Sequence, residues 1–281
     1  MPNGETGMTK LRKIIDEQSV AANKERQKVR SSLYASDYGQ CQKKIYMAHF
    51  PDEFPVRGDI DARTARIFDN GNAVHERLGS YLKRVPELGF VDEVDVPRDE
   101  LDVHGRCDGI CTVEGKPIVV EFKSINLEEV GDPKSEHQGQ VTFYLMMFKQ
   151  LQKVLKEDFG FGESDIVLED DVVGEESLSG RTVETLTPVE RWLLFAQAEL
   201  EGELIYEGKG NQRTTHFVVE YDPELAVSIR QWFANLKVCL ETRQIPKVRF
   251  YPSKFPCSWG SAQRGNVGKC PYFNLWYPDL S

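Results

Sequence analysis

The sequence predicts an α/β chain, a mixed central β-sheet flanked by helices, and three observations carry that expectation. First, residues 103–113 and 117–122 are extended runs, the second rich in β-branched residues, joined by Glu114-Gly115-Lys116, which spells a hairpin. Second, two long segments on either side of this hairpin, about 62–84 and about 134–155, carry apolar residues at helical spacing. Third, residues 203–207 and 215–221 read as a later strand pair around Gly208-Lys209-Gly210-Asn211, added to the same sheet.

Taken in order, residues 1–8 are small, polar and terminal, and about 9–30 read as a long, polar helix. Its lysines and arginines suit either a solvated face or an approach to a phosphate backbone. Ser36 is expected to cap a short helix carrying Cys41 and Tyr46. After a loop with Pro51, Pro55 and Gly58, the helix of 62–84 carries the stripe Ile67, Val74, Leu78 and Leu82, with His75 near its edge. Residues 90–96 read as the first strand. The helix of 134–155 carries His137, Gln140 and Tyr144, the last two four apart and therefore on one face. Residues 156–180 form an acidic, glycine-containing insertion in which 166–168 and 172–173 suggest a brief hairpin. Residues 188–200 and about 223–243 read as helices.

With 281 residues and 40% hydrophobic content, the chain can bury a sizeable core. It has no run of about 18 apolar residues, so no membrane span is expected. No apolar segment follows Met1-Pro2-Asn3, so no signal peptide is expected and a cytoplasmic setting, bacterial or that of a phage-infected host, is the default expectation. In such a setting six cysteines suggest thiols or metal ligands rather than disulfides. A net charge of −10 argues against a general nucleic-acid binder, although basic residues dominate from Arg230 onward.

The hairpin concentrates the chemistry. Side chains alternate along a strand, so Glu121 and Lys123 share one face and Val120 and Phe122 the other. Asp108 on the partner strand lies within reach of both. Two carboxylates and an amine at a sheet end make a hard-cation site suited to phosphodiester substrates, and an exposed hairpin with ordinary charges is the plainer alternative.

Four pieces in order resemble a known family. The hairpin with Asp108, Glu121 and Lys123 is similar to the core of the PD-(D/E)xK nuclease superfamily. Asn70-Gly71-Asn72-Ala73-Val74-His75-Glu76 resembles the Gly-x3-His-Glu helix of its RecB-like exonuclease branch, which includes CRISPR-associated single-strand exonucleases. Gln140 to Tyr144 resembles that branch's Gln-x3-Tyr helix, and Cys41 through Tyr46 its N-terminal segment. The resemblance covers roughly residues 30–150 well and the tail more loosely.

It implies a restriction-endonuclease-like core with N- and C-terminal segments packed together, residues 1–30 forming a tail and polar helix, and 31–281 the nuclease domain. It implies Mg²⁺ or Mn²⁺ on Asp108 and Glu121, with the Phe122 carbonyl and His75 as further ligands. Lys123 then positions or activates water, and Gln140 with Tyr144 steadies the substrate. The implied activity is a DNA exonuclease on single strands or ends, in replication, recombination or repair. A competing reading keeps the fold as a catalytically silent DNA-binding or scaffolding subunit.

Many members of the branch hold an iron–sulfur cluster with one early and three late cysteines. Cys41, Cys257 and Cys270 match three of the four, and no cysteine follows Cys270. Such clusters take four thiolates, so several states stay open for this set: an unusual fourth ligand such as His49 or solvent, a three-cysteine cluster, zinc, or ordinary thiols. Cys107, Cys111 and Cys239 are poor candidates. The acidic insertion is a third feature with an expected partner, a docking protein. Cleavage polarity and oligomeric state have no signature in these residues.

Overall fold

A computed structural model describes residues 7–26, 30–55, 62–125, 131–172 and 176–247. The chain divides into two compact units. One comprises Met1–Ser31, Gln40–Ala73 and Val238–Ser281, the other Ser32–Gly39 and Val74–Lys237. The strands are β1 (Leu33–Tyr34), β2 (Val91–Val96), β3 (Val103–Val113), β4 (Lys116–Ile125), β5 (Glu201–Gly208) and β6 (Thr214–Val219). The helices are α1 (Gly7–Arg26), α2 (Gln42–His49), α3 (Ala62–Leu82), α4 (Ser135–Asp158), α5 (Glu169–Val172), α6 (Pro188–Leu194) and α7 (Pro223–Glu241). Among the described residues no helix is long and apolar enough to cross a membrane.

The first unit carries α1, α2 and the first half of α3. Tyr46 of α2 is buried edge-on against Phe50 and Phe54, and the Arg243 guanidinium lies 4.0 Å from the Phe50 ring centre while also pairing with Glu53. The residue at the cap of α2 is Cys41, not Ser36, which lies in a separate single turn, Ala35–Asp37. That turn is fixed by Asp37, whose buried carboxylate accepts the Tyr34 N–H at 2.9 Å.

The second unit holds the sheet, six-stranded among the described residues, in the order β1-β3-β4-β5-β6 with β2 also on β3. β1 and β3 are parallel, as are β4 and β5, while β2–β3, β3–β4 and β5–β6 are antiparallel. This is the mixed, helix-flanked α/β architecture that the sequence predicts. The parallel β4–β5 pair requires a crossover, and α4 begins it. The β3–β4 turn is only two residues, Glu114 (φ 51°) and Gly115 (φ 81°), the positive-φ pair of a type I′ turn.

One sheet face carries Cys111, Ile118, Val120, Phe122 and Ile205, covered by Leu78 and Leu82 of α3 with Leu88 and Phe90. α4 covers the opposite face, burying Val141, Tyr144, Leu145 and Phe148. Phe233 of α7 packs on Phe143 of α4, and Trp232 beside it has Tyr38 edge-on. Gly139 makes room for Tyr38, since any Cβ there would overlap the tyrosine ring. Gly139→Ala therefore separates helix propensity from packing. Propensity alone would stabilise the helix by ~1 kcal/mol, whereas the overlap is expected to destabilise by about 1–3 kcal/mol. A melting temperature above that of the native chain would refute the packing argument.

The sheet contains one strand that the sequence does not announce. β1 is two residues long, too short for alternation, and is defined only by its pairing with Val103 and His104. In the acidic segment the brief hairpin expected at 166–173 is absent among the described residues. Glu169–Val172 is a helical turn instead. Buried Lys156 ties the segment to α4 by donating to the Asp165 carbonyl at 2.6 Å, and Asp158 accepts from Ser179 N–H and Oγ–H. α6 stops at Leu194 because the chain must extend to enter β5 at Glu201.

Candidate active site

The β3–β4 ladder runs from Val113↔Lys116 to Gly109↔Val120 and stops there. In that register the next pair would be Asp108 with Glu121. Instead the strands part, and Asp108 Oδ2 accepts the Phe122 N–H at 2.6 Å in place of a backbone carbonyl. Because N–H and C=O of a strand residue point to the same side, the Phe122 carbonyl also faces this fork. The neighbouring strand accommodates the break. β2 pairs with β3 on both sides of Asp108 (Asp92↔Gly109, Val94↔Cys107), and Glu93 between them has φ 49°. Gly109 has no room for a side chain, since a Cβ would strike the Phe90 ring and stand 2.9 Å from the Val91 carbonyl oxygen.

Glu121 lies on the α4 face of β4 and is 3% exposed. Its Oε1 accepts from Lys123 Nζ at 2.5 Å and from Gln140 Nε2 at 2.9 Å, while its Oε2 is buried with no hydrogen-bond partner. Burial pushes the Glu121 carboxyl up to about 7. Lys123 opposes that shift and the charge of Asp108 adds to it. Gln140 gives its second amide hydrogen to Tyr144 Oη at 2.5 Å, and Tyr144 donates onward to the Arg106 carbonyl at 2.9 Å. Each donor in this chain has one acceptor, so the amide of Gln140 has a single orientation.

His75 reaches the fork from α3. Its Nδ1–H donates to Asp108 Oδ1 at 2.8 Å, and its ring meets Phe122 edge-on at 6.0 Å. Burial works to lower its pKa, but the hydrogen bond and charge of Asp108, with Glu121 behind it, outweigh burial and raise it. Two sites along, Arg77 pairs with buried Glu207 at the end of β5.

Two hydrogen-bonded groups thus flank the fork: Asp108 with His75 and the Phe122 N–H, and Glu121 with Lys123, Gln140 and Tyr144. Gln140 and Tyr144 are both buried, Gln140 donating to Glu121 and Tyr144 to the Arg106 carbonyl. Among the described residues no group of three or more His, Cys, Asp or Glu is already assembled as a metal cage.

The cysteine set divides. Cys41 is a buried thiol at the start of α2, and Cys257 and Cys270 lie outside the described residues, as does the packing of the C-terminal segment. His49 donates Nδ1–H to the Ile45 carbonyl at 2.9 Å, and its Nε2 is buried without a partner. Cys107 and Cys111, in the hairpin, have thiol pKa values raised by burial, Cys111 to about 11, which makes them poor thiolate donors.

The sequence places His137 on this helix but not its partner, Tyr206. His137 precedes Gln140 by three and Tyr144 by seven, the spacing of one helical face, and its Nδ1 lies 3.0 Å from the hydroxyl of buried Tyr206. The helical spacing was available in the sequence. Tyr206 was readable only as a strand residue.

No protein-family model and no curated protein matches the chain. Among solved structures it is similar to the crystal structure of SSO0001, with 16% identity, a TM-score of 0.47, and 85% of this chain and 89% of that one covered. It is also similar to an alkaline exonuclease, LHK-Exo, from Laribacter hongkongensis, with 11% identity, a TM-score of 0.42, and coverage of 81% and 94%.

Proposed function

We propose that this chain is a divalent-metal-dependent deoxyribonuclease that hydrolyses phosphodiester bonds of single-stranded DNA or DNA ends in replication, recombination or repair. The observation that carries it is the fork itself, where Asp108, Glu121 and Lys123 meet beside a buried carboxylate oxygen that lacks any partner. A carboxylate as buried as Glu121 stays charged at neutral pH only with compensating positive charge, and the donor set here is of the hard-oxygen type that Mg²⁺ and Mn²⁺ take.

Asp108 and Glu121 would hold the ion, with the Phe122 carbonyl and His75 as additional donors. The bound ion would supply an acidified water and offset charge on the phosphate. Lys123 Nζ, beside Glu121 Oε1, orients the water and neutralises a phosphate oxygen. His75 and the Phe122 N–H fix the rotamer of Asp108, and Gln140 with Tyr144 fixes that of Glu121. For a chain of net charge −10, bringing a phosphate to two carboxylates requires such compensation.

The test is incubation with end-labelled single- and double-stranded DNA in Mg²⁺, in Mn²⁺ and in EDTA. Cleavage with metal and none in EDTA is the expected result. DNA retained without cleavage under all three conditions would replace this reading by the binding or scaffolding one.

A further inference from the structure

Tyr206 and His137 form a device that the site described above does not use. Tyr206 stands opposite Lys123 in the β4–β5 register, and its buried ring faces α4. Its hydroxyl oxygen accepts the backbone N–H of Lys134 at 2.9 Å. Its own hydroxyl hydrogen is placed to meet His137 Nδ1 at 3.0 Å when that nitrogen is unprotonated, with the two rings edge-on at 5.6 Å. An Nδ1 that accepts leaves the imidazole proton on Nε2. No hydrogen bond among the described residues engages that Nε2–H, and the ring is part-exposed rather than sealed in the core. Burial first, then the charges of Lys123 and Lys134, push the His137 pKa down to about 3, so the ring stays neutral throughout the working range.

A neutral imidazole held in one tautomer, with its free edge a donor and two lysine charges in reach, is matched to an anionic acceptor. On the same face of α4, His137 lies one turn before Gln140, which holds Glu121. We infer that His137 is a substrate-binding residue that donates its Nε2–H to a phosphate oxygen of the DNA strand beside Lys123, with Tyr206 as the positioning residue that sets its tautomer. This inference rests on the nuclease reading. It adds a contact to a phosphate next to the reacting one and leaves the chemical step to Asp108, Glu121 and Lys123.

The experiment compares the full chain with His137→Ala, His137→Gln and Tyr206→Phe on a fluorescein-labelled single-stranded oligonucleotide. It measures KM, kcat, metal-free binding by anisotropy, and melting temperature. His137→Ala is expected to raise KM and Kd by about tenfold with kcat changed less than about twofold. His137→Gln, whose amide keeps a donor at the same reach, recovers most of that loss. Tyr206→Phe reproduces the KM effect of His137→Ala, and the double variant is no worse than either single one. Nitrogen-15 spectra of the native ring should show unprotonated Nδ1 and protonated Nε2 from pH 5 to 8. Unchanged KM and Kd in His137→Ala, or a protonated Nδ1, would overturn the inference while leaving the nuclease reading intact. A matching loss of melting temperature in His137→Ala and His137→Gln, without a KM split, would mark the pair as purely structural. A native chain that binds DNA without cutting it removes the nuclease reading alone, and the anisotropy comparison still decides on His137. A native chain that neither binds nor cuts DNA removes both.

Discussion

Asp108→Ala is expected to lower kcat/KM for DNA by about a thousandfold or more while the chain still folds. Asp108 carries three tasks at once. It is a proposed metal ligand, it replaces the missing backbone acceptor for the Phe122 N–H, and it accepts a hydrogen bond from His75 Nδ1–H. Alanine leaves the Phe122 amide without an acceptor, at a cost of about 1–3 kcal/mol, and removes the partner that holds His75 in place. Asp108→Asn separates these losses, because its amide oxygen still accepts from Phe122 while the negative charge is gone. Both variants should be equally inactive, with Asn the more stable of the two. Wild-type turnover in either, measured beside EDTA controls, would remove Asp108 from the chemistry.

Glu121→Gln is expected to be inactive and yet, at pH 8 in EDTA, at least as stable as the native chain. In the unfolded chain this carboxyl titrates near its ordinary 4.5, and in the folded chain burial raises that to about 7. Between those values the folded chain binds more protons than the unfolded one. Stability from this group therefore falls as pH rises from about 4.5 to 7 and stays reduced above, by on the order of 3 kcal/mol. Glutamine carries no charge to bury, still accepts from Gln140 through its carbonyl, and releases Lys123, whose side chain is 21% exposed and can reach water. Denaturant unfolding at pH 5 and pH 8 reads the difference directly. A variant less stable than the native chain at pH 8 would show that the Lys123–Glu121 pair outweighs the desolvation of Glu121.

The two variants have opposite expected effects on the fold because the two carboxylates are held differently. Asp108 is satisfied on both oxygens and serves as part of the sheet's own hydrogen bonding. Glu121 is buried with one oxygen orphaned, and so stores an electrostatic demand that a cation would answer.

What the amino-acid order determines by itself is local. Strand alternation separates Glu121 and Lys123 from Val120 and Phe122, the turn residues Glu114 and Gly115 close the hairpin, and helical spacing aligns His137, Gln140 and Tyr144. These follow from periods of two and 3.6 residues, which any reader of the chain can count. What only the tertiary structure decides depends on partners far apart in sequence. The ladder stops at Gly109 and Val120, so Asp108 enters the backbone hydrogen bonding. β1 exists only because Val103 pairs with it. Tyr206, 69 residues beyond His137, meets that histidine's Nδ1. A hydrogen bond needs its donor and acceptor within about 3 Å, and no spacing along the chain specifies that approach until the sheet and helices have packed.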